Sequence, residues 1–120
     1  MMLVNYNYHI WFKACKPIKG KYKLSTNCLL ILNGSYIYSQ TINKDFTEHQ
    51  LLRFVTYYNN VKLGGYIKVL IKLGYLTQSG LKRNTLLYSV SLLGLSVIQE
   101  LNASYECELI KFCTTYNVIL

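Results

Sequence analysis

The most regular run of apolar and polar positions lies mid-chain. Along Val61–Leu73, winding at about 100° per residue gathers Leu63, Tyr66, Ile67, Leu70, Ile71 and Leu73 on one side. The opposite side receives Val61, Lys62, Gly65, Lys68, Val69 and Lys72. A segment with one face to bury and one to keep wet predicts an amphipathic helix. Asn59 or Asn60 can cap its start, and Gly74 supplies its stop. Just upstream, FTEHQLLRFV carries the clearest helix start in the chain. Thr47 and Gln50 fit a reciprocal capping box, and Phe46 can act as a hydrophobic staple against Leu51. That short helix is expected to end near Tyr57 or Tyr58.

The flanks extend the pattern. Tyr75–Gln78 and Thr85–Val90 are rich in strand formers, with SGLKRN between them as a turn over 79–84. Leu86, Tyr88 and Val90 alternate toward a core. Ser91 can cap a last helix, in which Leu95, Ile98, Leu101, Tyr105, Leu109 and Phe112 recur at three- and four-residue steps. Before the central pair, Ser25 opens a helix whose apolar face is Leu29, Leu30, Leu32, Tyr36 and Ile37, with a loop near Thr41–Asp45. Gly34 inside it weakens the helix by about 1 kcal/mol relative to Ala. Residues 1–23 are harder to place. Tyr6, Tyr8, Ile10 and Phe12 alternate like a strand, Val4 and Trp11 break the alternation, and Pro17 and Gly20 lie among lysines as in a loop. This arm is expected to be strand or irregular. The chain thus divides into an arm (1–23), a central unit (24–91) and a terminal helix (92–120).

Composition adds most through charge. A chain of 120 residues has the length of one domain. With 52% apolar and 15% charged residues, it favours a packed core over disorder. The net charge is +8 and the sequence pI about 9.4. No Asp or Glu occurs between His49 and Gln99, a span holding Arg53, Lys62, Lys68, Lys72, Lys82 and Arg83. A second basic group, Lys13, Lys16, Lys19, Lys21 and Lys23, precedes it, while Glu100, Glu106 and Glu108 lie near the end. This imbalance points to a polyanion, either nucleic acid or an anionic membrane surface. The uncharged stretch Leu24–Asn43 is too rich in Ser, Thr, Asn and Gln for a bilayer span. The start, MMLVNYNYHIWFK, lacks a basic leader before its apolar part, so a cytoplasmic protein is expected.

Catalytic and metal chemistry find little support. Cys15, Cys28, Cys107 and Cys113 form no C-x-x-C pair and have no histidine at finger-like spacing. They are expected as reduced, mostly buried thiols, with no metal or other cofactor. His9 and His49 lack an acid, Cys or Ser partner in a recognisable arrangement, and Glu48 is explained by the helix dipole. No glycine-rich phosphate loop follows a strand. The expectation is a protein that is not an enzyme.

The element order is helix, short helix, turn, basic-faced helix, hairpin, helix. Two helices joined by a tight turn can present the second to a major groove, where lysines displace counterions from phosphates. Lys82 and Arg83 would then act from the hairpin, arginine suiting a narrow minor groove. From about Leu24 to about Leu101 the chain resembles the MarR type of winged helix-turn-helix. The resemblance rests on FTEHQLLRFV, on VKLGGYIKVLIKLGYL with its exit into the wing, and on YSVSLLGLSVIQEL, a strand followed by the opening of a long helix.

It implies a mainly α fold with a two-stranded β wing (α+β) and a transcriptional regulator that binds double-stranded DNA. The recognition helix would be about 61–73. The contact set would be Asn60, Lys62, Gly65, Lys68, Lys72, Lys82, Arg83 and Asn84. It also implies a homodimer joined through its terminal helices, for which Ile98, Leu101, Tyr105, Leu109 and Phe112 offer a seam. The alternative reading of the same stripe is an intramolecular core. The chain departs from the pattern at Gly64 and Gly65, which stand where Ser, Thr or Arg is usual. It also lacks an Asp-x-Arg near the wing tip and an obvious family helix in the arm. No effector and no operator are therefore implied. The rival readings are a winged helix serving as a protein-interaction or assembly module, and a replication or partition factor of a mobile element.

Overall fold

The computed structural model describes residues 2–55 and 60–117, with side chains over 9–55 and 62–117. Five helices and one hairpin follow in order: α1 (Met2–Tyr22), α2 (Thr26–Thr41), α3 (Glu48–Phe54), α4 (Asn60–Lys72), β1 (Leu76–Lys82), β2 (Thr85–Val90) and α5 (Leu92–Tyr116).

Side-chain caps set the starts of three helices. Ser25 Oγ accepts from the Cys28 N–H, and Ser91 Oγ from the Gly94 N–H. Thr47 and Gln50 close the expected capping box on α3, each side chain accepting from the other's backbone N–H. Gly74 ends the α4 region at φ +86°, a conformation that favours glycine. Phe46 and Leu51, the staple pair, are both fully buried in the main core.

The N-terminal arm is a correction: residues 2–22 form one helix, with Pro17 inside it. Ile10, Ala14 and Ile18 recur every four residues and are buried with Cys15, and this face packs along α5. Tertiary burial outweighs the helix-breaking tendency of Pro17, whose missing N–H costs a single turn. Ser104 Oγ donates to the Ala14 carbonyl at 2.9 Å, tying the two helices together.

α2 also differs from its expected single face. It touches all four other helices and β2, so its burial runs round the cylinder: Cys28, Leu29, Ile31, Leu32, Gly34, Ser35 and Tyr38. Leu30 and Tyr36 are half-buried and Ile37 is exposed. Gly34 leaves room for Val55: a Cβ there would lie 2.8 Å from Val55 Cγ1. Val55 is extended and terminates α3 three residues after Leu52. α3 thus stops at Phe54, short of its expected end, and Tyr57, Tyr58 and Asn59 lie outside the described residues.

The wing is longer than expected and its turn tighter. β1 and β2 pair antiparallel from Leu76↔Val90 out to Lys82↔Thr85, with a bulge between Gln78 and Gly80. Ser79–Lys82 thus belong to strand or bulge, and the tip is Arg83–Asn84 alone. Tyr88 and Val90 pack against the core as expected, but Leu86 is exposed because the outer hairpin extends past the body. Phe46 adds a bridge to β2, exchanging both backbone hydrogen bonds with Tyr88 at 2.8 and 3.0 Å. That bridge anchors the start of α3 to the base of the wing.

Candidate nucleic-acid interface

α4 presents the polar ridge anticipated for it. Leu63, Ile67 and Leu70 are fully buried, while Lys62, Gly65, Lys68, Val69 and Lys72 are exposed on the opposite side. Asn60 is the first residue of α4, and its side chain and that of Val61 lie outside the described residues. Leu73, assigned to the inner face, is exposed just beyond the helix end. Lys68 and Lys72 are one turn apart and share a face, and neither has a carboxylate partner among the described residues.

The two glycines of α4 serve different ends. A Cβ on Gly65 would meet nothing within 4 Å, so the backbone there is open to close approach. A Cβ on Gly64 would lie 2.8 Å from Glu48 Oε1. Gly64 thus packs α4 onto α3 rather than opening the helix to a ligand. The fold also brings Glu48 to the edge of a surface that has no acid of its own in the linear sequence. Burial, and secondarily the Glu48 charge, push the Tyr88 hydroxyl above its ordinary range.

Lys82, Arg83 and Asn84 are exposed at the hairpin tip. Arg83 and Asn84 have φ of +51° and +63°. Two positive φ values in a two-residue loop make a type I′ turn, which matches the twist of the flanking strands. Asn suits that position, whereas Arg is strained by about 1 kcal/mol. The fold therefore holds a bulky cation at the tip where Asn or Gly would be easier.

Along the edge of α4 away from Glu48 lies a contact with no signal in the sequence pattern. Asn27 Nδ2 donates to Tyr66 Oη at 2.8 Å, joining the start of α2 to α4. The spacing Ile10–Ala14–Ile18 is compatible with a helix, but Pro17, Gly20 and the lysines among them outweigh it locally.

The seam residues divide. Ile98 and Leu101 are buried in the chain's own core, the intramolecular alternative for this stripe. Tyr105, Leu109 and Phe112 are half-buried. Phe112 stacks with Tyr116 at 4.6 Å and edge-on with His9 at 6.2 Å. Cys15 and Cys28 are buried free thiols, Cys113 is half-buried, and Cys107 is exposed, contrary to expectation. Burial, partly offset by Lys19, pushes the Cys15 thiol up to about 12. No cluster of potential metal ligands occurs among the described residues. Nor is any helix among them long and apolar enough to cross a membrane.

These features define a winged helix-turn-helix: α2, α3 and α4 form the trihelical unit, and β1–β2 form the wing. The same fold occurs in the transcriptional regulator Tm0710 from Thermotoga maritima, at a TM-score of 0.72 and 16% identity. That superposition covers 95% of this chain and 77% of the other. No family model matches the chain, and no curated protein does.

Proposed function

We propose that this protein is a MarR-like transcriptional regulator that binds double-stranded DNA as a two-fold dimer. The observation that carries the reading is the outward ridge of α4, where Lys62, Lys68 and Lys72 flank the open backbone of Gly65. Inserted in a major groove, this ridge sets lysines against phosphates and base edges. The hairpin carries Lys82 and Arg83 to a neighbouring backbone or minor groove, with Asn84 beside them. Asn60, the first residue of α4, and Asn84 complete the proposed contact set.

The test is binding of full-length protein to duplex DNA by fluorescence anisotropy over a salt series. Lys68→Glu with Lys72→Glu is expected to abolish binding with an unchanged far-UV spectrum, and the wild type to lose affinity steeply with salt. Unaltered affinity in that variant would refute the assigned surface. A second reading, a winged helix that docks a protein, is favoured by one feature. Leu81 and Leu86 face each other across the wing, and both are exposed. Failure of the wild type to bind any duplex even at low salt would select this reading.

A further inference from the structure

The five lysines of the N-terminal arm are not scattered along a loop. Folding residues 2–22 into a helix sorts them. Winding at about 100° per residue puts Lys13, Lys16 and Lys19 in one arc, away from the buried Ile10, Ala14 and Ile18, and all three are exposed. Lys21 points the other way and is neutralised by Glu100, Nζ to Oε1 at 2.5 Å. Lys16, Lys19 and Lys23 have no carboxylate partner among the described residues, and α1 contains no acid.

The corner after α1 leads into a contact with α4. Lys23 closes α1 at φ +53°, a left-handed position usually given to Gly. A lysine occupies it all the same, and it is exposed. Four residues later, Asn27 holds Tyr66 through the 2.8 Å hydrogen bond. Tyr66, half-buried at the rim of the inner face, is one turn from Lys62. The α3 flank of α4, marked by Gly64 against Glu48, lies on the opposite edge. The corner therefore borders the ridge on the side that Glu48 does not reach.

We propose that Lys16, Lys19 and Lys23 form a second phosphate-binding surface, contiguous with Lys62, that clamps the backbone of the same duplex beyond the segment read by α4. This rests on the DNA-binding reading above. Each phosphate neutralised contributes about 0.9 to the slope of log affinity against log salt. The experiment uses the full chain, a random-sequence duplex several helical turns long, and anisotropy across a salt series. It compares wild type with Lys16→Gln/Lys19→Gln/Lys23→Gln and with the corresponding triple Arg variant.

The Gln variant is expected to keep its far-UV spectrum and still bind at low salt. Its slope should be shallower by about two to three, and its hydroxyl-radical footprint should lose backbone positions at one flank. The Arg variant should match wild type in both readouts. A Gln variant with wild-type slope and footprint overturns the clamp, and so does an Arg variant that fails like Gln. In those cases the Lys68→Glu/Lys72→Glu loss would still stand for the primary reading. A wild type that binds no duplex removes both.

Discussion

Single residues carry disproportionate weight where backbones meet. A Cβ on Gly94 would fall 2.1 Å from the Tyr75 carbonyl oxygen. That oxygen accepts the Ser91 N–H at 3.2 Å, while Ser91 Oγ donates to the Gly74 carbonyl at 2.5 Å. The start of α5 is thus clamped to the exit of α4. Gly94→Ala is expected to destabilise by about 3 kcal/mol or more, measured by urea denaturation. A change within error would mean that the contact relaxes freely. Arg83 offers the opposite case. Arg83→Asn relieves the left-handed strain and is expected to hold or raise the melting temperature while weakening duplex affinity. Parallel losses of both would assign Arg83 to folding rather than to binding. The caps were legible at this scale because each needs only a hydroxyl or amide a few residues from an N–H. The Gly94 contact was not, because it joins residues nineteen apart in sequence through the fold.

Elements follow the same division. α4 and the exit through Gly74 could be read directly, since one face is buried and the other wet. α1 could not. Its lysines, Pro17 and Gly20 are loop-like residues locally, and only packing on α5 offsets them. Pro17 is exposed, so Pro17→Ala should restore the missing backbone bond at no packing cost. A gain of about 1–3 kcal/mol in stability is expected, read as a rise in melting temperature. A fall would show that the ring itself is needed for packing or for the local bend. The wing was seen as a hairpin, but its register was misjudged. Leu81 and Lys82 looked like turn residues, and the bulge at Ser79 that sets the true pairing leaves no mark on alternation.

The molecule as a whole is drawn out. Its extents are 53 × 30 × 23 Å. Its radius of gyration is 15.3 Å, against about 14 Å for a compact chain of this length. Its accessible surface is 7914 Å², against about 6,700 Å² for a folded monomer of this mass. The surplus exceeds the roughly 800 Å² that each partner contributes to a standard interface. Phe12, Ile110 and Tyr116 are exposed on the α1–α5 pair, and a dimer through that pair would cover them. Wild-type protein is expected to sediment as a dimer, and Ile110→Glu to shift it toward monomer with little loss of fold. A wild type that is monomeric at every concentration tested would remove the dimer from the proposal.

The amino-acid order by itself determined the starts of α2, α3 and α5, the basic ridge of α4 and the presence of a hairpin after it. Each follows from interactions within one turn or one face, where covalent spacing decides which groups can meet. Only the tertiary structure decided that the arm is a helix, that Ile98 and Leu101 are spent inside, and that Gly64 shelters Glu48. It alone placed the lysine corner beside α4 through Asn27 and Tyr66. Those outcomes depend on free energy from surfaces distant in sequence, and burial of that kind overrides local preference without leaving a local signature.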